Sequence, residues 1–289
     1  MSYQSEAQLE QQLIDQLKGQ GYDEVAIPDY DSLVANFRVQ FEKFNAAKLV
    51  KPLSDKEWER VLNHLNGKSI FESAKIMRDK YVLERDDGSK VYLAFIDEDH
   101  TKNLFQVSNQ TTVVGKYTNR YDVTLLVNGL PLVQIELKRR GIDIKEAVNQ
   151  IMRYRKHSYN GLYHYIQTFI VSNGMDTKYF ANSDKDILYS HTFFWTDEDN
   201  IRITNLKDFS VTFLARDRII KMLTKFTILN DTDKIMMIMR PYQVYATEAL
   251  IRQATLTNRN AYIWHTTGAG KTLTAFKTAQ VLAANPVVK

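Results

Sequence analysis

At 289 residues the chain has room for about two domains of roughly 150 residues each. Its composition, 44% hydrophobic and 25% charged, is that of an ordinary globular protein, and the net charge of +4 decides little. The absence of cysteine excludes disulfides, thiolate zinc sites, Fe–S clusters and thiol nucleophiles together. No apolar run approaches the roughly 18 residues of a membrane crossing. The opening Met1-Ser2-Tyr3-Gln4-Ser5-Glu6 is polar and then amphipathic, unlike a secretory signal. The expectation is a cytoplasmic protein with no membrane partner. The six histidines are scattered, with no pair at ligand spacing on one helix face.

Helix signals dominate residues 5 to about 80, with Ser54-Asp55-Lys56-Glu57 reading as a capping box before Trp58, Val61 and Leu62. A strand-rich middle follows. Asp86-Asp87-Gly88 punctuates a hairpin between Tyr81–Leu83 and Val91–Ile96. A second hairpin joins Tyr121–Val127 to Leu132–Lys138 through Asn128-Gly129. A helix is predicted over Ile144–Lys156, a buried strand over Tyr165–Val171 ending at Ser172-Asn173-Gly174, and a short strand at Phe193-Phe194-Trp195. Residues 200 to 235 read as a connector with one helix near Asp217–Phe226. Arg240-Pro241-Tyr242-Gln243 opens an amphipathic helix, Asn260–Trp264 reads as a strand and Lys271–Ala284 as a helix. Val287-Val288 looks like the start of another strand. A lone βα unit cannot bury its own faces, so the chain reads as a piece of a longer protein.

Asp122, Glu136 and Lys138 carry the first chemical argument. Side chains alternate faces along a strand. With Val123, Leu125 and Val127 buried together with Val133, Ile135 and Leu137, Asp122 falls on the side of Gln134, Glu136 and Lys138. Setting Asp122 directly across from Glu136 demands an odd loop, expected as residues 128–130 with a G1 bulge at Gly129. A two-residue loop would need a compensating bulge. Two carboxylates on adjacent strands suit Mg²⁺, and a lysine beside them can orient water or steady transition-state charge. A surface salt bridge would use the same residues.

Two further features bear on this site. Advancing about 100° per residue along the first helix sets Glu10 inside the arc of Leu9, Leu13, Ile14 and Leu17. A carboxylate facing a core is costly unless paired or metal-linked, which makes Glu10 a candidate member of the site. Gln150 and Tyr154 stand four apart and share a helix face. Lys138, Arg139, Arg140, Lys145, Arg153, Arg155 and Lys156 form a local basic cluster, a polyanion footprint or a solvated helix face.

His265-Thr266-Thr267-Gly268-Ala269-Gly270-Lys271-Thr272 lies between a predicted strand and a predicted helix, the setting of a phosphate-binding loop. Thr267, Gly268, Ala269 and Gly270 would offer backbone N–H groups to phosphates. Lys271 would reach the β- and γ-phosphates, and Thr272 would hold Mg²⁺. His265 departs from the glycine of the strict pattern. Gly67-Lys68-Ser69 shares the motif's tail but has no strand before it, so it reads as an inter-helix turn. Gln243 offers a donor and an acceptor together, which suits an adenine edge.

These motifs occur in one order: Asn128-Gly129-Leu130-Pro131-Leu132-Val133-Gln134-Ile135-Glu136-Leu137-Lys138, then Arg240-Pro241-Tyr242-Gln243, then Ile263 to Thr272. Together with Asn109-Gln110, Arg120-Tyr121-Asp122 and Trp195-Thr196-Asp197-Glu198, they make the chain resemble the N-terminal part of the restriction (R) subunit of type I restriction–modification enzymes. The resemblance implies an α/β protein. Residues 1–200 would form a PD-(D/E)xK, RecB-like nuclease domain with a mixed sheet flanked by helices. Residues 201–234 would connect it to the beginning, at 235–289, of a RecA-like superfamily 2 motor domain.

It further implies that Asp122 and Glu136 bind Mg²⁺, that Lys138 completes the catalytic motif, and that Gln150 and Tyr154 match the QxxxY element. Gln243 would match the adenine-reading Q motif of an ATP-binding translocase, in which a His265 at that place is no defect. The implied partners are double-stranded DNA and the modification and specificity subunits. The whole enzyme would cut unmodified DNA at a distance after ATP-driven translocation. Without an acidic Walker B motif, a second RecA-like domain or an arginine finger, these 289 residues are expected to bind ATP weakly and not turn it over. A type III subunit is disfavoured because the nuclease precedes the motor here. A non-catalytic module that docks DNA or partner subunits is the contrasting class, and it needs no metal at Asp122 and Glu136.

Overall fold

A computed structural model describes residues 5–114, 118–157, 159–257 and 259–285. Helix α1 (Glu6–Gly19) starts from a reciprocal Ser5/Gln8 cap. It buries the Leu9, Leu13, Ile14 and Leu17 stripe that its spacing predicts. After the two-residue β1 (Asp23–Glu24) come α2 (Tyr30–Phe44), α3 (Asp55–Leu65) and α4 (Ile70–Arg78). The expected capping box at α3 is present: the Glu57 N–H donates to Ser54 Oγ, and the Ser54 N–H donates to Glu57 Oε2 at 2.9 Å. Ser69 caps α4 in the same way, so Gly67-Lys68-Ser69 is the turn between α3 and α4, as expected. The first hairpin is β2 (Tyr81–Glu84) with β3 (Lys90–Leu93).

The central sheet is mixed and six-stranded. It adds β4 (Phe105–Val114), β5 (Thr118–Val127), β6 (Leu130–Leu137), β7 (Thr168–Ser172) and β8 (Thr177–Ala181), in the order β1-β4-β5-β6-β7-β8. β4, β5 and β6 run antiparallel, β6 and β7 parallel, and β7 and β8 antiparallel. The parallel pair is bridged by α5 (Ile144–His157), which packs on β6 and β7, while α1 packs on β1, β4 and β6. β6 is buried along its whole length, as a strand covered on both faces should be.

The hairpin that carries the carboxylates corrects one expectation. Its loop is two residues, Asn128 and Gly129, because Val127 pairs with Leu130. Both loop residues are left-handed, at φ 52° and 83°, the backbone of a type I′ turn. Asn128 tolerates that conformation and fixes the turn through three bonds. Its Nδ2 donates to Phe95 O and Asn103 Oδ1, and its Oδ1 accepts from Leu104 N. Gly129 is obligatory, since an added Cβ would lie 2.7 Å from Phe37 Cα.

The compensation sits in β6 instead. Leu126 pairs with Pro131 but Leu125 pairs with Val133, so the ladder slips by one residue at Leu132. Proline has no N–H for a central ladder and is accommodated at such a bulge. The slip restores the parity that the two-residue loop would lose. Val123 pairs with Ile135, and Asp122 therefore stands across from Glu136. The shared face is visible in the next pair along, where Thr124 Oγ1 donates to Gln134 Oε1 at 2.7 Å.

Other boundaries moved. Tyr165 ends a 3₁₀ turn (Gly161–Tyr165), so β7 begins only at Thr168. Phe193 makes an isolated bridge to Tyr179, and the short strand is β9 (Trp195–Thr196), paired with β10 (Arg202–Ile203). The expected connector holds more than one helix. It contains α6 (Leu206–Thr212) and α7 (Arg216–Thr224), then a hairpin of β11 (Thr227–Asn230) and β12 (Ile235–Ile238) that straddles residue 235. Helices α8 (Pro241–Leu256) and α9 (Lys271–Ala283) complete the described chain, and Val287-Val288 lies outside the described residues.

The strand expected at Asn260–Trp264 does not form. Tyr262 and Trp264 are 84% and 87% exposed. A strand exists only by pairing, and no described strand lies beside this segment. No described helix is long and apolar enough to cross a membrane.

Candidate functional site

Sheet geometry places Asp122 near the end of the β5–β6 ladder and Glu136 opposite it, in the most protected strand. Glu136 is fully buried. Neither of its carboxylate oxygens accepts a hydrogen bond among the described residues. Lys138 Nζ stands 3.5 Å from Oε1 and donates to the Leu137 carbonyl at 3.1 Å. Asp122 Oδ2 accepts from the Leu137 N–H at 2.7 Å, which fixes its orientation against the neighbouring strand.

Burial pushes the Glu136 carboxyl well above the usual carboxylate range, and the Asp122 charge beside it pushes further; Lys138 offsets part of this. Asp122 is raised to about 6, again by burial first. The Leu137 N–H and Lys138 pull it down, while Glu10 and Glu6 add repulsion. Two carboxylates that both resist ionisation, one without a hydrogen-bond donor, form a site short of positive charge. That donor set fits a divalent cation taking hard oxygen ligands. Among the described residues no group of three histidine or acidic side chains converges on one point, so further ligands would be waters or substrate oxygens.

The other expected members fall around this pair. Gln150 Nε2 donates to Tyr154 Oη at 2.6 Å, as their spacing predicts. Burial and then the Glu136 charge push the Tyr154 phenol up to about 12. Its ring packs 5.4 Å from that of Tyr121, which also meets Tyr159 at 4.9 Å and Tyr163 at 5.0 Å. Glu10 is buried, and its carboxylate accepts from Asn109 Nδ2 at 2.7 Å and from Gln110 Nε2.

A cavity of about 400 Å³ opens over Asp122, lined by Glu6, Glu10, Gln110, Arg120 and Arg139 among others. Arg120 and Arg139 supply positive charge at its mouth. Sequence reasoning gave no role to Gln110, Arg120 or Glu6. The signal was available in the adjacent Asn109-Gln110 and Arg120-Tyr121-Asp122 runs, but only the sheet brings them to one opening.

The second site is organised around the loop before α9. Gly268 and Gly270 are left-handed at φ 80° and 79°. Gly270 caps α9 with no side-chain hydrogen bond, and the Leu273 N–H already donates to the Gly270 carbonyl at 3.0 Å, so the Lys271 and Thr272 N–H groups are the ones that could meet an anion. Lys271 and Thr272 are exposed, with Thr267, Gly268 and Ala269 in the loop before them.

Gln243 is buried with both ends of its amide engaged. Oε1 accepts from the Arg240 N–H and Nε2 donates to the Ala269 carbonyl, each at 3.0 Å. Tyr242 Oη donates to the same carbonyl at 3.0 Å. An amide retains one further N–H and one further lone pair, so Gln243 ties α8 to the loop while keeping capacity for a base edge. Beside it lies a cavity of about 390 Å³ lined by Phe193, Arg240, Gln243, Gly268–Gly270 and Leu273.

Two family models match the chain, one over each part. Residues 3–186 match the family model described as type I restriction enzyme R protein N terminus. Residues 236–288 match the model described as type III restriction enzyme, res subunit. Over its full length the chain is 56% identical to the type I restriction enzyme SsaAORF53P endonuclease subunit of Staphylococcus saprophyticus. It is 54% identical to an endonuclease subunit of Staphylococcus aureus. In each case it spans 31% of the relative's length. It is also 39% identical to the EcoprrI endonuclease subunit of Escherichia coli, over 86% of this chain and 82% of that one. The long N-terminal match and these identities make the chain a member of the type I restriction enzyme R protein N-terminus family.

Proposed function

We propose that this chain is the nuclease end, and the beginning of the motor, of a type I restriction endonuclease subunit. Its reaction would be Mg²⁺-dependent hydrolysis of phosphodiester bonds in unmodified double-stranded DNA. The observation that carries the reading is the pairing of half-buried Asp122 with fully buried Glu136, with Lys138 beside them: carboxylate charge that desolvation penalises and that a divalent cation would make favourable. The type I names of the relatives, and the type I match over the N-terminal 184 residues (3–186), favour this over a type III arrangement.

Asp122 and Glu136 would hold Mg²⁺. When bound, that ion supplies Lewis-acid polarisation of a phosphate oxygen and a more acidic water. The chain's own residues do the rest. Lys138, whose Nζ lies beside Glu136, would hold the attacking water and share charge with the phosphate. Water oxygen bonds to phosphorus, the bond from phosphorus to one ester oxygen breaks, and the proton passes to the departing oxygen or solvent. Gln150 fixes the Tyr154 phenol on the flank of Glu136. Arg120 and Arg139 at the mouth would steer the backbone.

Residues 235–289 would begin the RecA-like motor. The loop from Thr267 to Thr272 would bind the ATP phosphates, with Gln243 holding the loop and facing the base. The missing pairing partners of residues 260–264 would come from other motor strands. Modification and specificity subunits would select the site. The test is plasmid cleavage by the assembled full-length enzyme. Glu136→Ala should abolish cutting while DNA-stimulated ATPase persists; cutting at the wild-type rate would favour a docking module.

A further inference from the structure

β4 contains a backbone anomaly facing the carboxylate pair. Gln110 has φ of 53° in mid-strand, the left-handed region that non-glycine residues rarely occupy. The β4–β5 ladder runs from Phe105↔Val127 to Val114↔Thr118 in one register, and the position where Gln110 would pair with Asp122 is skipped. In a regular strand Asn109 and Gln110 would point to opposite faces. The left-handed residue lets both amides reach one carboxylate: Asn109 Nδ2 bonds Glu10 Oε1, and Gln110 Nε2 bonds Glu10 Oε2. Neutral donors orient a carboxylate without cancelling its charge. Gln110 Oε1 is buried with no hydrogen-bond partner among the described residues, and Gln110 lines the cavity shared with Glu10 and Asp122.

We propose that Gln110 is a positioning residue. It clamps Glu10 and, through its own unpartnered oxygen, holds a water in the shell of the cation at Asp122 and Glu136. This rests on the metal-site reading above. It gives Glu10 a role one water removed from the ion, consistent with the lack of a three-carboxylate cluster among the described residues. It also gives the strain a purpose, since backbone held in sparsely populated regions concentrates at functional sites.

The test is calorimetric titration of Mn²⁺ into the chain and its Gln110→Gly and Asp122→Asn variants, with thermal unfolding beside it. Gln110→Gly removes the clamp and relieves the backbone. The expected result is metal affinity about tenfold weaker, the size of a typical outer-shell loss, with a melting temperature equal to or above that of the parent. Glu10→Gln, which sets a donor against the Gln110 amide, should weaken binding similarly. Affinity within twofold of the parent in Gln110→Gly, while Asp122→Asn loses binding, would overturn the clamp and leave the metal site standing. Unchanged binding in Asp122→Asn would overturn the metal site itself.

Discussion

The two candidate sites of this chain differ in how much of their support lies within it. The carboxylate pair sits in the middle of a six-stranded sheet, with its turn, bulge and covering helix all supplied by residues 6–182. The candidate phosphate-binding loop follows a segment whose Tyr262 and Trp264 are exposed and lie in no described strand. The first site is preorganised by its own fold. The second has its loop and helix, but residues 260–264 before them pair with no described strand. The sequence motif of the second is the more recognisable, yet its structural context is the less complete. Motif strength and local stability are separate properties.

Breaking the frame of the first site should have the largest effect. In the assembled enzyme, Glu136→Ala or Asp122→Ala should lower the DNA cleavage rate by at least about 10²–10³-fold, with ATPase retained. Equal losses of both activities would mean a folding defect instead. Gly129→Ala should destabilise the chain by about 2–4 kcal/mol, because the new Cβ meets Phe37 backbone at 2.7 Å and φ is +83°. Urea unfolding measures this, and a midpoint unchanged from the parent would contradict the turn geometry.

The pH dependence of metal-free stability has a definite sign. Asp122 is raised to about 6 in the fold, so the folded state holds more protons than the unfolded state in this range. Its contribution is complete below the unfolded value of about 4 and is lost as pH rises through 6. Asp122→Asn, which keeps an acceptor for the Leu137 N–H, should therefore stabilise the metal-free chain at pH 7. The gain should be of the order of 2 kcal/mol. A less stable variant at pH 7 would mean the carboxylate charge is already compensated.

The smallest effects belong to the second region. Lys271→Ala should weaken ATP binding yet change unfolding by less than about 0.5 kcal/mol, because the side chain is exposed. Amides of residues 260–264 should exchange with deuterium far faster than those of β6. Equal protection would place a hidden pairing partner beside them and erase the contrast.

Much of this was legible beforehand where the information is local. The α1 stripe, the Ser54–Glu57 box, the Gln150–Tyr154 contact and the Asn128-Gly129 turn depend on residues a few positions apart. The parity argument set Asp122 across from Glu136 correctly but assigned the odd residue to the loop. Pro131 was the overlooked clue, since it needs a bulge. β4 and β8 were not read, because polar residues such as Ser108, Asn109 and Lys178 interrupt their alternation and only neighbouring strands make them strands. For the same reason residues 260–264 looked like a strand and are not one here. The Asn109–Gln110–Glu10 contacts span about a hundred positions, beyond any local pattern.

The most direct test asks whether the Asp122–Glu136 pair binds a cation in exchange for protons. Mn²⁺ would be titrated calorimetrically into the chain at pH 6, in two buffers of different ionisation enthalpy. Ligands must lose their protons to bind metal, so raised carboxylates predict binding with net proton release, abolished in both Asp122→Asn and Glu136→Gln. Binding that releases no protons and survives both substitutions would contradict the account.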